Sequence, residues 1–354
     1  MKNMKPMLLA YYLPQFHEVE ENNLWWGKGF TEWTNVKKAK QYFKTQEIRK
    51  PIEPLGEYDL MLGDKVIEQQ FEIAQEHGID GFLVWNYWFG NEEKILERPF
   101  EKVLQEKQKV NYAFAWANHS WLNKTKGILL KEQKYLGAKD YKKYFNYLKS
   151  HFLSENYIKK DNKPIFGIFM PDLIPDLSEF IELFNKWAIE LGFDGIFWLA
   201  ENTNNESNYV KYFDRYFDSV VFLKGRKNSP IGYFFEKLNT KTKGKINFGP
   251  FIYSYKNLSD LYKNYELNEN ELGVIFSGWD TGIRHAKNGI ILKNLSIASF
   301  DNHIHDVLEK TTKNNSDIII LKSWNEWAEG NLLEPDSIFG SELLNVLKRN
   351  RNGY

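Results

Sequence analysis

HGIDGFLVW, residues 77–85, and LGFDGIFWL, residues 191–199, read alike. In each, a glycine stands where a helical stretch ends, a short turn carries an aspartate, and a second glycine opens a run of apolar residues. Glycine terminates helices because the left-handed conformation costs it little. An uninterrupted apolar run of strand length is a strand covered on both faces, as in parallel sheets. A helix, a turn and a doubly buried strand, met twice, form the repeating unit of a parallel α/β fold.

Outward from these two stretches the pattern continues. Apolar runs of strand length occur at Leu8–Leu13, Gly81–Tyr87, Tyr112–Ala117, Pro164–Met170, Gly195–Ala200, Ser219–Leu223, Gly273–Ser277 and Ile318–Leu321. Among them, Lys65–His77, Glu97–Lys107, Lys139–Phe152, Leu177–Leu191 and Ser341–Lys348 carry apolar residues at three- and four-residue intervals, the spacing of amphipathic helices. Eight such strands predict an α/β (β/α)8 TIM barrel filling residues 1–354 as a single domain, with long loops after strands 1 and 6 (Glu18–Gly63 and Lys224–Leu272). The rival, an open doubly wound sheet, places a glycine-rich phosphate turn after its first strand. Here YYLPQFH, residues 11–17, follows instead.

Composition narrows the function classes. The chain has 47 basic and 47 acidic residues, so no net field draws it to nucleic acid or to an anionic membrane. It has no cysteine, which removes thiolate catalysis, disulfides and cysteine-ligated metals. The apolar run from Met7 to Leu13 is too short for a secretory leader and reads as a strand. No stretch approaches the length of a membrane helix. The expectation is a cytoplasmic protein, or a mature form lacking its export signal. Oligomeric state is not legible.

In a parallel barrel the active site lies at the C-terminal ends of the strands. The residues there are unusual in being aromatic and amide-rich: His17 after the first strand; Trp85, Asn86, Tyr87 and Trp88 after the second; Trp116, Asn118, His119 and Trp121 after the third; Trp279, Asp280, Arg284 and His285 after the seventh. The eighth delivers Asn325, Glu326, Trp327 and Glu329, with Glu334 close behind, and the first long loop adds Trp26, Glu32 and Trp33. A single tryptophan is most simply core. Many tryptophans interleaved with amides and carboxylates suit a cleft that packs rings on sugar faces and hydrogen-bonds their hydroxyls, so an oligo- or polysaccharide is the expected partner.

Glu326 and Glu329 are the candidate catalytic pair. Glycoside cleavage needs one carboxylic acid to protonate the leaving oxygen and one carboxylate on the other side of the anomeric carbon. Two glutamates three residues apart also arise as a solvated loop pair. Here DIIILKSW, residues 317–324, leads straight into them and sets Glu326 at a strand mouth. His17, His119 and His285 also follow predicted strands, near Asp172, Glu201 and Asp280, but no two share a close ligand spacing. Neither metal nor cofactor is expected. His303 and His305 sit in a polar segment and read as surface.

AYYLPQFHEVEENNLWWGKGFTEWTNV (10–36), GFLVWNYWF (81–89), LERPFEKVL (96–104), FAWANHSW (114–121), EQKY (132–135), KPIFGIFMPDLIPD (163–176), FSGWD (276–280) and SWNEWAEGNLLEPD (323–336) together resemble the WbsX-like proteins, a group related to glycoside hydrolase family 99. The resemblance implies a (β/α)8 barrel and, from family 99, endo-acting retaining cleavage of α-mannosides. It implies that Glu326 deprotonates the sugar 2-hydroxyl to give a 1,2-anhydro intermediate, while Glu329 is the acid/base. WbsX-like genes are associated with lipopolysaccharide and capsule loci and often carry a glycosyltransferase label. The sequence departs from the group at WANHSW, where relatives usually read WANENW, so His119 replaces a frequent glutamate. It also reads GWDTGIRH where GWDNTPRR is usual. Three readings therefore stand: a retaining hydrolase of a bacterial surface glycan, a glycosyltransferase of its assembly, and a carbohydrate-binding barrel without activity.

Overall fold

The computed structural model describes residues 5–123, 127–242, 245 and 247–353. Eight parallel strands form a curled sheet: β1 (Met7–Tyr12), β2 (Gly81–Asn86), β3 (Tyr112–Trp116), β4 (Lys163–Ile168), β5 (Phe197–Ala200), β6 (Arg215–Tyr216), β7 (Gly273–Phe276) and β8 (Ile318–Lys322). Their order is β7-β8-β1-β2-β3-β4-β5-β6, and a short antiparallel strand, Lys159–Lys160, is added on β4. At the two ends of this path a single parallel bridge joins Tyr216 to Glu271, with hydrogen bonds from Tyr216 N to Asn270 O (3.1 Å) and from Leu272 N to Tyr216 O (2.9 Å).

Every residue of β2, β3, β5, β7 and β8 is buried, which explains their near-continuous apolar sequences. The polar exceptions are Asn86 and Lys322, each the last residue of its strand. Helices α1 (Val66–Glu76), α2 (Arg98–Gln105), α3 (Ala138–Leu153) and α4 (Leu177–Glu190) lie between the first five strands. The two matching stretches behave alike: Gly78 and Gly192 follow α1 and α4 with φ of +90° and +92°.

The sixth strand differs from expectation. The run Ser219–Leu223 is not a strand; most of it belongs to a 3-10 helical stretch, Val221–Asn228, and the strand position is taken by Arg215–Tyr216. The reason is packing: Phe222 stacks on Phe276 at the end of β7 (centroids 3.8 Å, planes 11° apart), so this apolar run covers the sheet end instead of joining its edge. Arg215 meanwhile bonds Asp317 through both Nε and Nη2 (3.0 Å each). His303 is likewise not at the surface. It lies on the long helix α6 (Ile297–Lys313), 1 % exposed, with Nε2 accepting from Phe276 N at 3.2 Å, and burial holds its ring down to about pKa 3.

Both long excursions contain structure. The first holds short helices Glu20–Trp26 and Glu32–Lys37, the second started by a reciprocal Thr31–Thr34 capping box. The other holds α5 (Pro230–Lys241) and the strand Phe251–Ser254, which pairs in parallel with Ile290–Lys293. No helix among the described residues is long and apolar enough to cross a membrane.

The last helix, α7 (Glu342–Gly353), is pinned beneath the sheet by Arg351, which is 1 % exposed. Its guanidinium donates to Pro6 O (2.6 Å), Gly78 O (3.2 Å) and Asp80 Oδ2 (2.7 Å), tying the chain's end to the entries of β1 and β2. Replacing Arg351 by Met strands these acceptors, and we expect a loss of about 1–3 kcal/mol of stability. Urea unfolding measures it; an unchanged midpoint would show that the pin is not needed.

Candidate active site

After Lys322 the chain turns sharply. Ser323 Oγ accepts from Glu326 N (3.1 Å) and donates to Asn331 O (2.5 Å), and Asn325–Glu326 pairs antiparallel with Asn331–Leu332. Asn325 clamps this turn to the end of β1: its Oδ1 accepts from Leu13 N (2.7 Å) and its Nδ2 donates to Leu13 O (3.1 Å). Gly330 closes it with φ +58°, and a Cβ there would lie 2.6 Å from Asp280 Cβ and 2.9 Å from Asp280 N. Only glycine fits both the conformation and the space. Asp280 N in turn donates to Glu329 O at 2.6 Å. The segment 323–330 is thus fixed to β1, to the loop after β7 and to itself.

Charge is concentrated inside this turn. Glu326 Oε1 accepts from Trp85 Nε1 (3.0 Å) and Lys322 Nζ (3.3 Å). Lys322 is itself buried, with its ammonium 4.6 Å from the Tyr11 ring centre and 4.9 Å from that of Trp85. Glu329 Oε1 accepts from Arg284 Nη1 (2.7 Å), while Arg284 Nη2 bonds Glu32. A fourth carboxylate, Glu201, receives the Tyr11 hydroxyl.

Burial raises any carboxyl, and nearby charges decide whether that rise survives. For Glu326 the rise from burial is overcome by Lys322, the Trp85 N–H and Arg284, leaving its pKa below the ordinary glutamate value. For Glu329, burial and the adjacent Glu326 charge prevail over Arg284 and Lys322, leaving its pKa raised. Burial also lifts Glu201 to about 7 against the pull of Lys322. Neighbouring glutamates pushed in opposite directions are the pattern by which general acid–base chemistry separates its two roles.

The other sequence-predicted residues divide by what they touch. Glu32 reaches the pair through Arg284, and Tyr87 lies beside it, its hydroxyl pKa raised by burial and then by the Glu326 charge. Trp121 meets Tyr87 edge-on at 5.1 Å and is only partly buried, as is His119, which packs on Phe169. Trp26 stands out on the first loop, 43 % exposed. The rest are walls. Trp88 donates to Asp140 (3.0 Å), Trp116 to Trp88 O (3.0 Å) and Trp33 to Tyr58 O (2.8 Å). Asn86 accepts the Tyr144 hydroxyl (2.7 Å), and Asn118 bonds Met170 N and O (2.8 Å each). Glu334 gathers Trp327, Tyr58 and Gln70, so it steadies the turn from behind; burial pushes its carboxyl up to about 8. Trp279 is buried against Phe222, and Asp280 accepts from Gln46 Nε2 (2.7 Å), its carboxyl pushed up by burial to about 6. His17 is closed from solvent at 1 % exposure, and burial takes its ring down to about 4. No group of three or more His, Asp or Glu among the described residues is placed to hold a metal ion.

Lys322, Arg284 and Trp85 touch the pair; Trp85 and Arg284 stand at strand ends where the sequence places the site, whereas Lys322 was not expected there. Lys322 left a signal, a lysine at the end of an otherwise apolar strand, DIIILK. The partners of Arg284 left none, because they lie 45 and 252 residues away in sequence.

A family model described as glycosyltransferase WbsX matches residues 8–347. The chain belongs to this family. Two curated relatives, both named "Uncharacterized protein WxcX", from two strains of Xanthomonas campestris pv. campestris, are 27% identical over 359 residues, covering 97% of this chain and 49% of theirs. The chain thus spans about half the length of these relatives. Similar solved structures include a glycoside hydrolase-like protein (TM-score 0.57, 13% identity, covering 98% of this chain and 94% of that one) and a family 99 endo-alpha-mannosidase from Bacteroides thetaiotaomicron (TM-score 0.56, 13% identity, 98% and 99%). At that identity the likeness is one of fold.

The glycine of the turn is open to test. Gly330→Ala forces a Cβ against the Asp280 backbone at positive φ, and the conformational term alone costs roughly 1–2 kcal/mol. A thermal or urea midpoint equal to wild type would mean the turn is not held as described.

Proposed function

We propose that the chain is a retaining glycoside hydrolase acting in the cytoplasm on a bacterial surface polysaccharide or its precursor, an O-antigen, capsule or related glycan. In this reading residues 1–354 form one catalytic domain, and the bridge between Tyr216 and Glu271 completes a (β/α)8 barrel. The observation that carries it is the placement of two buried glutamates in one turn at the mouth of β8, Glu326 held by Lys322 and Trp85 and Glu329 by Arg284.

Glu326, ionised, removes the proton of the sugar 2-hydroxyl. The freed oxygen attacks the anomeric carbon and forms a 1,2-anhydro ring as the glycosidic bond breaks, and Glu329 gives its proton to the leaving oxygen. In the second half Glu329, now ionised, takes a proton from water attacking the anomeric carbon; the ring opens and Glu326 returns its proton to the 2-oxygen. Two inversions leave the configuration retained. Lys322 and Trp85 stabilise the Glu326 charge, and Arg284 orients Glu329. Trp26, Trp121, His119 and Tyr87, partly exposed or beside the pair, contact the glycan, while the buried members of the predicted set hold the walls.

The family's description favours a second reading, a glycosyltransferase. A nucleotide or lipid diphosphate donor needs cations free to meet it. Arg284 is already bonded to Glu329 and Glu32, and Lys322 to Glu326, which supports hydrolysis. The test is incubation with the surface polysaccharide of the source cell. Glu326→Gln and Glu329→Gln should each lower turnover by at least about a hundredfold. Near-normal turnover in either removes that residue from the mechanism, and product formed only with an activated sugar donor supports the transferase.

A further inference from the structure

The balanced charge of the whole chain conceals a local imbalance. Residues 219–259 carry eight lysines and arginines against one glutamate, a net +7, so the remaining residues carry −7 of the zero total. The glutamate is spent internally: Glu236 pairs with Arg226 (3.0 Å) and accepts the Tyr253 hydroxyl (2.6 Å). Lys224 is offset by Asp218 (3.1 Å). Lys227, Lys237, Lys241 and Lys245 are exposed and make no ion pair among the described residues.

Beside these lysines lie large apolar side chains that the fold does not cover. Ile231 and Phe234, one turn apart on the same face of α5, are 75% and 61% exposed, and Phe248 is 66% exposed. Phe248 packs on Phe235 (4.9 Å between ring centres) and Phe235 on Phe234 (5.5 Å), so the three belong to one patch. The opposite side of α5 is anchored: Glu236 meets Tyr253, and Asn239 donates to Asn288 (3.2 Å). Asn288 closely follows the short helix Gly282–His285 that carries Arg284.

We propose that the outer face of α5, with Ile231, Phe234, Phe248 and the four lysines, docks on an anionic lipid bilayer surface. A helix that buries apolar side chains at the headgroup boundary beneath a rim of lysines is the arrangement of interfacial membrane helices. Positive charge alone suits any polyanion. Ile231, 75% exposed beside the phenylalanines, has no flat face to stack on a base or a sugar, whereas an aliphatic and aromatic patch suits acyl chains, and this favours the bilayer. Docked this way, the protein carries the Arg284 side of its site close to the membrane, where a glycan still attached to lipid would be in reach. The docking itself does not depend on which reaction the site performs.

The test is co-sedimentation of the full chain with phosphatidylglycerol/phosphatidylcholine vesicles and with pure phosphatidylcholine vesicles. Wild type should partition onto the anionic vesicles at least tenfold more strongly, and salt should weaken it as it screens surface charge. Each basic residue near an anionic surface contributes about fivefold, so joint replacement of Lys227, Lys237, Lys241 and Lys245 by Gln should cost about a hundredfold or more. Ile231→Ser with Phe234→Ser should cost at least about tenfold, from lost apolar burial. Because all six positions are exposed, thermal midpoints should stay at the wild-type value. Equal partition onto neutral and anionic vesicles, or variants that bind like wild type, would overturn the proposal. So would concentration-dependent self-association dispersed by Phe234→Ser, or binding to a soluble polyanion that the serine variant retains while vesicle binding is absent.

Discussion

A lysine is buried at the end of an apolar strand. Desolvating an ammonium is costly unless carboxylates face it, and Lys322 is faced by Glu326 at 3.3 Å, with Glu201 acting on it from further off. The rest of the site follows from that requirement. Glu326 must stay ionised to balance Lys322, and its charge then presses the neighbouring Glu329 toward the protonated form. Arg284 limits that pressure by bridging Glu329 to Glu32 from the first long loop. Four carboxylates and two cations thus form one balanced group at the mouth of β8, with Tyr11 and Trp85 as its aromatic sides.

The balance also explains why the turn is built so tightly. A shift of an ångström at Glu326 would break its contacts with Lys322 and Trp85 and leave charge buried without a partner. Asn325 on β1, Gly330 against Asp280, and Glu334 behind Trp327 each remove freedom from 323–330. Many of the aromatic and amide residues clustered at the strand ends therefore serve as scaffold. Their polar atoms are taken up by protein partners, and their abundance reflects the demand for a rigid wall around a charged centre.

How much of this was legible follows from which interactions are local. Strands buried on both faces announce themselves as apolar runs, and paired glycines mark the helix-to-strand turns, so seven of the eight strands lie where the sequence places them. The sixth does not, because Arg215–Tyr216 is short and mixed in polarity, while the more apolar run beside it is recruited by Phe276 for packing. Helix α6 was missed for a related reason: Asp301, Asn302, His303 and His305 dilute its apolar face, and His303 is buried by tertiary contact. The glutamate pair was legible from position. Trp85 and Arg284 were legible as strand-end residues, but their bonds to the pair were not, since they come from distant segments and only the fold brings them together. Charge shows the same limit: a net of zero described the chain and hid the basic, aromatic face of α5.

The central claim is that Lys322 holds Glu326 down, while burial and the Glu326 charge push the adjacent Glu329 up. Carbon-13 NMR titration of side-chain carboxyls, with Glu326→Gln and Glu329→Gln as assignments, tests it without a substrate. The account predicts that Glu326 titrates below the ordinary glutamate range and Glu329 above it. Removing the opposing cation in Lys322→Met should raise the Glu326 titration toward higher pH. Titration of the two glutamates together near the ordinary value, in the reverse order, or without response to the loss of Lys322, would contradict it.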